Sequence, residues 1–117
     1  MTDRIVLTIP TGQRYRPIAT LVVGGIGSRA DVSYERMDDL QLAVLSALES
    51  AAGENVTIEV DSGDEGIRLA LGPVRNGSAE DEGLGLVLAR LVDDVAHEHR
   101  DGSEWLSLRL APSAPAA

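Results

Sequence analysis

Few residues in this 117-residue chain have the type and spacing to do chemistry. His97 and His99 are the only histidines. On a strand, residues two apart share a face, so both imidazoles point one way while Glu98 points the other. A structural metal site takes about four ligands, and no spacing here supplies a third. The pair therefore reads as a solvated edge strand, and no metal is expected. Asp38-Asp39 and Asp93-Asp94 are paired carboxylates, but adjacent residues on a helix diverge, so neither pair makes an acid–base dyad. Gly24-Gly25-Ile26-Gly27-Ser28 has the composition of a phosphate cradle without the G-x-G-x-x-G spacing or the strand-to-helix context. Helix packing explains it better. Gly83-Leu84-Gly85-Leu86 differs because it opens a helix after a long polar loop. Glycines there let a ligand approach, and unpaired N–H groups at a helix start favour an anion.

Composition removes whole classes of activity. Ten basic residues against nineteen acidic ones leave a net charge of −9, which is wrong for a phosphate-backbone binder, so no direct nucleic-acid binding is expected. All ten basic residues are Arg. Without Lys there is no Walker A lysine and no Schiff base. Without Cys there is no disulfide, no thiolate zinc site and no thiol nucleophile. The amino terminus lacks a signal-peptide pattern, and the longest nearly uncharged stretch, 17–28, is too short to span a bilayer. A cytoplasmic protein without membrane association is expected.

The elements that must position these residues follow from periodicity. Ile5, Leu7 and Ile9 alternate as a strand, and Ile18, Leu21, Val22 and Ile26 fall at helical spacing after Pro17. Ser33 is an N-cap, with Val32 and Met37 in staple positions. Met37, Leu40, Val44, Ala47, Leu48 and Ala51 then form the apolar stripe of a second helix, and Gly53 supplies a stop. Val56, Ile58 and Val60 pair through a turn at 62–66 with Ile67, Leu69 and Leu71. A polar loop runs over 73–82. Leu84, Leu86, Val87, Leu88, Leu91, Val92 and Val95 make a third helix, apolar on most sides and hence expected to be well buried. Two strands, 95–99 and 104–110, close the chain through Arg100-Asp101-Gly102-Ser103. The order β-α-α-β-β-α-β-β predicts an α+β, two-layer sandwich with a mixed, mostly antiparallel sheet and helices on one face. One domain is expected over 1–110, and 111–117 is a Pro/Ala/Ser tail expected to be disordered.

In serial order these segments resemble the bacterial anti-sigma-factor protein kinases of the GHKL (Bergerat-fold) ATPase superfamily. The resemblance runs from Val6-Leu7-Thr8-Ile9-Pro10 to Leu106-Ser107-Leu108-Arg109-Leu110. Its strongest parts are Asp39-Leu40-Gln41-Leu42-Ala43-Val44 and Gly83-Leu84-Gly85-Leu86-Val87-Leu88 with Leu91-Val92-Asp93-Asp94-Val95, similar to the family's G2 box and following helix. The family's catalytic Glu and its Mg²⁺-holding Asn correspond to Ser46 and Ser50. A Ser hydroxyl cannot take a proton at neutral pH as a carboxylate does, and it is a poorer Mg²⁺ ligand. The adenine-recognising Asp falls in Ala70-Leu71-Gly72-Pro73, which has no carboxylate. Glu80, Asp81 and Glu82 stand directly before Gly83, where the family places phosphates.

The resemblance therefore implies an anti-sigma-factor-like regulator that acts by protein–protein binding with degenerate kinase motifs and no cofactor. Ser46, Ser50, Gly83, Leu84 and Gly85 are its vestigial nucleotide positions, and no residue is assigned a catalytic role. Implied partners are a sigma factor, an anti-anti-sigma (STAS-type) protein, or both, together with a second copy in a homodimer. Arg14, Tyr15 and Arg16, expected to be exposed at the start of the first helix, are candidate partner-binding residues because Arg and Tyr are enriched at interface hot spots. The alternative implied by the same family is an active ATP-dependent protein serine kinase or ATP-binding switch using ATP and Mg²⁺.

Overall fold

Alternating apolar residues build the sheet. In the computed structural model, which describes residues 3–27 and 30–112, strand β1 (Asp3–Pro10) sets Ile5, Leu7 and Ile9 opposite Val60, Ile58 and Val56 of β2 (Asn55–Gly63). β2 turns at Asp64-Glu65 into β3 (Gly66–Val74), and β4 (Asp94–Arg100) turns at Asp101-Gly102 into β5 (Ser103–Leu110). The last turn has φ of 49° at Asp101 and 80° at Gly102, the left-handed pair that a two-residue hairpin needs. The spatial order is β1-β2-β3-β5-β4, and every neighbouring pair is antiparallel, so the sheet is more uniform than the mixed one expected.

Three helices cover one face of this sheet: α1 (Arg16–Gly27), entered from a 3-10 turn (Gln13–Tyr15), α2 (Tyr34–Leu48) and α3 (Glu82–Leu91). Ser33 caps α2 as its sequence predicts, its Oγ accepting the Arg36 N–H at 3.3 Å. Met37, Leu40, Val44, Ala47 and Leu48 are buried against Val23 and Ile26 of α1 and against Ile58, Leu69, Leu71, Leu106 and Leu108 of the sheet. Helix α2 stops at Leu48, earlier than its apolar stripe suggested, because Ala51 leaves the helix to bridge Val74 at the end of β3. The polar loop is shorter than expected. β3 continues through Val74, and a second 3-10 turn (Ser78–Glu80) delivers the chain to α3.

The expectation of a well-buried third helix fails. Only Leu88 of α3 is buried, and Leu86 is 67% exposed. Val92 and Val95 lie beyond the helix, which ends at Leu91. α3 packs against α2 on one flank and sits over the margin of the sheet, so a single line of its side chains reaches the core. Ala111 is held by an N–H donated to Asp93 Oδ2 at 2.8 Å. The rest of the expected tail, 113–117, lies outside the described residues. Among the described residues no helix is long and apolar enough to cross a membrane.

Candidate functional site

Helices α2 and α3 run antiparallel, so the carboxyl end of one meets the amino end of the other. At that end they part around a cleft of about 250 Å³ lined by Ser46, Glu49, Ser50, Arg75, Asp81, Gly83, Leu84 and Val87. Four of the five positions singled out in the sequence, Ser46, Ser50, Gly83 and Leu84, thus meet in one place; Gly85 is exposed and does not line the cleft. Ser46 is half-buried on α2. Ser50 is buried in the turn after it, its N–H donating to the Ala47 carbonyl at 3.0 Å.

The electrostatics of this cleft are set by two residues. Asp81 is the N-cap of α3. Its Oδ1 accepts the Leu84 N–H at 3.1 Å, and its carbonyl accepts the Gly85 N–H at 2.9 Å. A carboxylate of the chain itself therefore stands at the positive end of the helix, the position an anionic ligand prefers. Arg75 faces it from the end of β3. Its Nη1 donates to the Glu49 carbonyl at 2.8 Å and its backbone N–H to the Ser50 carbonyl at 2.8 Å. The guanidinium thus closes the carboxyl terminus of α2, where a cation is favoured. The sequence reading missed Arg75. Its signal was its isolation, as the only cation between Arg68 and Arg90.

The adenine-anchor stretch contributes no polar side chain. Leu71 is fully buried in the core, and Gly72 lies beneath the ring of Trp105, which leaves no room for a Cβ. On this helix-free face Arg100 stacks over Trp105 at 4.3 Å and donates to Glu59 Oε1 at 2.8 Å and Glu98 Oε2 at 2.9 Å. The Glu59 hydrogen bond is the main cause that holds the Arg100 pKa above its ordinary value. This cluster ties β2, β4 and β5 together.

The remaining candidates are dispersed. His97 and His99 are exposed on the edge strand β4, on the opposite face from Glu98. Among the described residues no three His, Cys, Asp or Glu side chains converge as metal ligands. Arg14 is exposed and lies over the Tyr15 ring at 5.3 Å. Arg16 departs from expectation. It is half-buried, with its Nε enclosed and without a hydrogen-bond partner, because the 3-10 turn winds directly into α1 and makes Arg16 the first helical residue. Asp93 joins three segments. It accepts Ala111 N–H and Arg36 Nη2, the latter at 3.1 Å. The Ala111 hydrogen bond, then Arg36, hold its carboxyl below the usual range against some desolvation.

Fold and cleft define an α+β sandwich with a polar, self-capped cleft between two helices. No family model matches the chain. A stretch of 48 residues, 41% of the chain, is 42% identical to the serine-protein kinase RsbW of Listeria monocytogenes strain EGD-e. The same values hold for the serine-protein kinase RsbW of Listeria innocua serovar 6a. That match spans 31% of the length of these curated relatives.

Proposed function

We propose that this chain is an anti-sigma-factor-like regulator that works by protein–protein binding and carries no kinase chemistry. The observation that carries the proposal is the Asp81 carboxylate at the head of α3. It supplies internally the negative charge that a phosphate would bring, and a phosphate placed there would meet it as a like charge. Three further features support the reading. Ser46 and Ser50 lack the basicity and the ligand strength for a general base and a Mg²⁺ site. The volume, about 250 Å³, is below the roughly 300–1,000 Å³ of small-molecule sites. The stretch around Leu71 offers no carboxylate to an adenine amino group. These residues do not fit a magnesium nucleotide, so no cofactor is assigned.

The partners of this reading are a sigma factor, an anti-anti-sigma protein of the STAS type, or both, and a second copy of the chain, in the cytoplasm. Arg14, Tyr15 and Arg16 are its candidate contact residues. Partial similarity to the serine-protein kinase RsbW supports the family resemblance on which both readings rest. The position of the cleft beside Gly83 favours a second reading, an ATP-dependent serine kinase or ATP-binding switch with a rearranged site.

Titration calorimetry with Mg-ATP separates the two. The regulator binds no nucleotide at micromolar concentration, and micromolar affinity overturns the proposal. Neutralising Glu80, Asp81 and Glu82 together leaves that null result in place, since the dipole of a helix start contributes only about 0.3–1 kcal/mol. Adding Ser46→Glu, Ser50→Asn and Leu71→Asp is the minimum for measurable affinity, with a thermal melt confirming that the variant folds, since Leu71 is buried. Co-purification from the native host is expected to recover a sigma factor or its antagonist.

A further inference from the structure

On the helix-free face of the sheet, charges alternate along one row with a single break. Directly opposed residues set Arg4 of β1 beside Asp61 of β2, Asp61 beside Arg68 of β3, and Arg109 of β5 beside Asp94 of β4. At the centre of the row Arg68 is directly opposite Arg109. Like charges in that position destabilise a sheet. In a chain with nineteen acidic residues to set between them, the juxtaposition needs a reason.

The neighbouring acids do not resolve it. Asp61 is held by Arg4 at 3.4 Å, and Glu59 by Arg100 at 2.8 Å. Asp93 attracts Arg109 at longer range, but its Oδ2 is already taken by the Ala111 N–H and by Arg36. Among the described residues, neither the Arg68 nor the Arg109 guanidinium makes an ion pair or a hydrogen bond. Beside them is a hollow of about 180 Å³ lined by Arg68, Asp94, Ala96, Ser107 and Arg109. Ala96 and Ser107, opposed on β4 and β5, are small and leave it its depth.

We propose that this hollow is a carboxylate-binding site, and that its occupant is an Asp or Glu side chain of a partner protein docked on the helix-free face. Each guanidinium presents a fork of N–H donors that matches a carboxylate, and the Ser107 hydroxyl adds another donor. One negative charge between Arg68 and Arg109 restores the alternation of the row. A doubly charged phosphate would meet Asp61 and Asp94 on its two sides as like charges. Size points to a side chain, because about 180 Å³ is below the roughly 300–1,000 Å³ that encloses a whole small molecule. The body of the partner has level ground beside the hollow, where Ala70 and Ala96 flank Ser107. This surface is separate from the cleft in the helix layer, and it rests on the proposed function only for the existence of a protein partner.

The test uses a blocked peptide, acetyl-Gly-Glu-Gly-amide, and its Gln analogue at constant ionic strength, followed by the amide NMR shifts of the whole chain. The Glu peptide is expected to shift Arg68, Ser107 and Arg109 and to bind about tenfold more tightly than the Gln peptide, as one charge-assisted contact implies. Arg68→Ser and Arg109→Ser are each expected to remove that preference, with thermal melts showing folded chains. Equal binding of the two peptides, or a preference that both variants retain, overturns the proposal. Capture from the native host separates it from the proposed function. A sigma factor or antagonist that Arg68→Ser releases supports both, and one that Arg68→Ser leaves bound overturns the docking face alone. Recovery of neither partner, with the Glu preference intact, overturns the regulator and leaves the carboxylate site standing. Self-association that Arg68→Ser abolishes in light scattering gives the site to a second copy and overturns the separate partner.

Discussion

Helix α2 has two flanks, and they are built in opposite ways. Toward α1 the backbones approach closely at two glycines, beside a cleft of about 430 Å³ that Gly24, Gly27, Tyr34 and Met37 help to line. Gly27 has no side chain because Met37 fills the space its Cβ would take, and Gly24 makes room for the Gln41 amide. Toward α3 the seam is pinned at one end and open at the other. Arg36 closes the pinned end, donating to Asp39 at 2.9 Å, to the Leu91 carbonyl at 3.3 Å and to Asp93 at 3.1 Å. The open end holds the cleft, with Asp81 and Arg75 capping the two helix termini that face it. A cleft of about 430 Å³ therefore lies on the α1 side, and a smaller opening of about 250 Å³ lies at the helix ends on the α3 side. The opening is therefore a product of the residues around it: small Ser46, Ser50 and Gly83 in place of large apolar ones. The two flanks teach that helix ends capped by the chain's own charged groups can bound an opening without closing it.

Four substitutions break or sharpen this contrast. The largest effect is expected from Leu88→Ala, because Leu88 is the one buried side chain of α3. Its loss costs about 2–5 kcal/mol in urea unfolding and preferentially raises amide exchange in α3. An effect near zero would mean the open seam is held by polar contacts alone. Next is Gly27→Leu in the α1–α2 seam, where overpacking against Met37 costs about 1–3 kcal/mol. A neutral result there would show that the cleft beside Gly27 takes up the added side chain.

The pinned end is tested by Asp93→Ala, which is expected to cost on the order of 1 kcal/mol at pH 7, since the Arg36 pair is partly exposed and screened. Its dependence on pH has a definite sign. The folded-state pKa of Asp93 lies below its unfolded value, so its stabilisation is complete above about pH 4 and is lost as pH falls through the folded value. Thermal melts of wild type and Asp93→Ala should therefore converge below about pH 4. A gap that stays constant to pH 2 would assign the effect to packing. The smallest change is Gly85→Ala. A Cβ there meets nothing within 4 Å, so helix propensity should stabilise the protein by up to about 1 kcal/mol. Destabilisation would show that the backbone at Gly85 is in use.

Helix α2 was legible almost entirely from its own residues, because Ser33 and the Met37-to-Leu48 stripe are local signals that report a cap and one buried face. The hairpin at Asp101-Gly102 was legible for the same reason: few dipeptides tolerate two left-handed residues. Helix α3 was misjudged by the same logic. Leu86 and Val87 are apolar like Leu88, and periodicity cannot tell an apolar side chain that meets a neighbour from one left in solvent. Ser46, Ser50, Gly83 and Leu84 were singled out from the order of segments, and their meeting in one cleft depends on an antiparallel α2–α3 pairing that no single segment encodes. Arg75 escaped notice, and Asp81 was singled out only as one of three acids and not as the cap of α3, because both roles are defined by what the residues touch.

By itself the sequence determined the element order, the α+β class, the acidic balance, and the absence of lysine and cysteine chemistry, since each is carried by residue type or by spacing within one element. Tertiary structure alone decided which residues line the clefts on either side of α2, that Asp81 occupies the head of α3, that Arg16 is half-buried, and that β1 is an edge of the sheet. Those outcomes rest on contacts between residues far apart in the chain, such as Arg75 with Glu49 or Arg36 with Asp93. Which partners meet is fixed only when the helices close over the sheet.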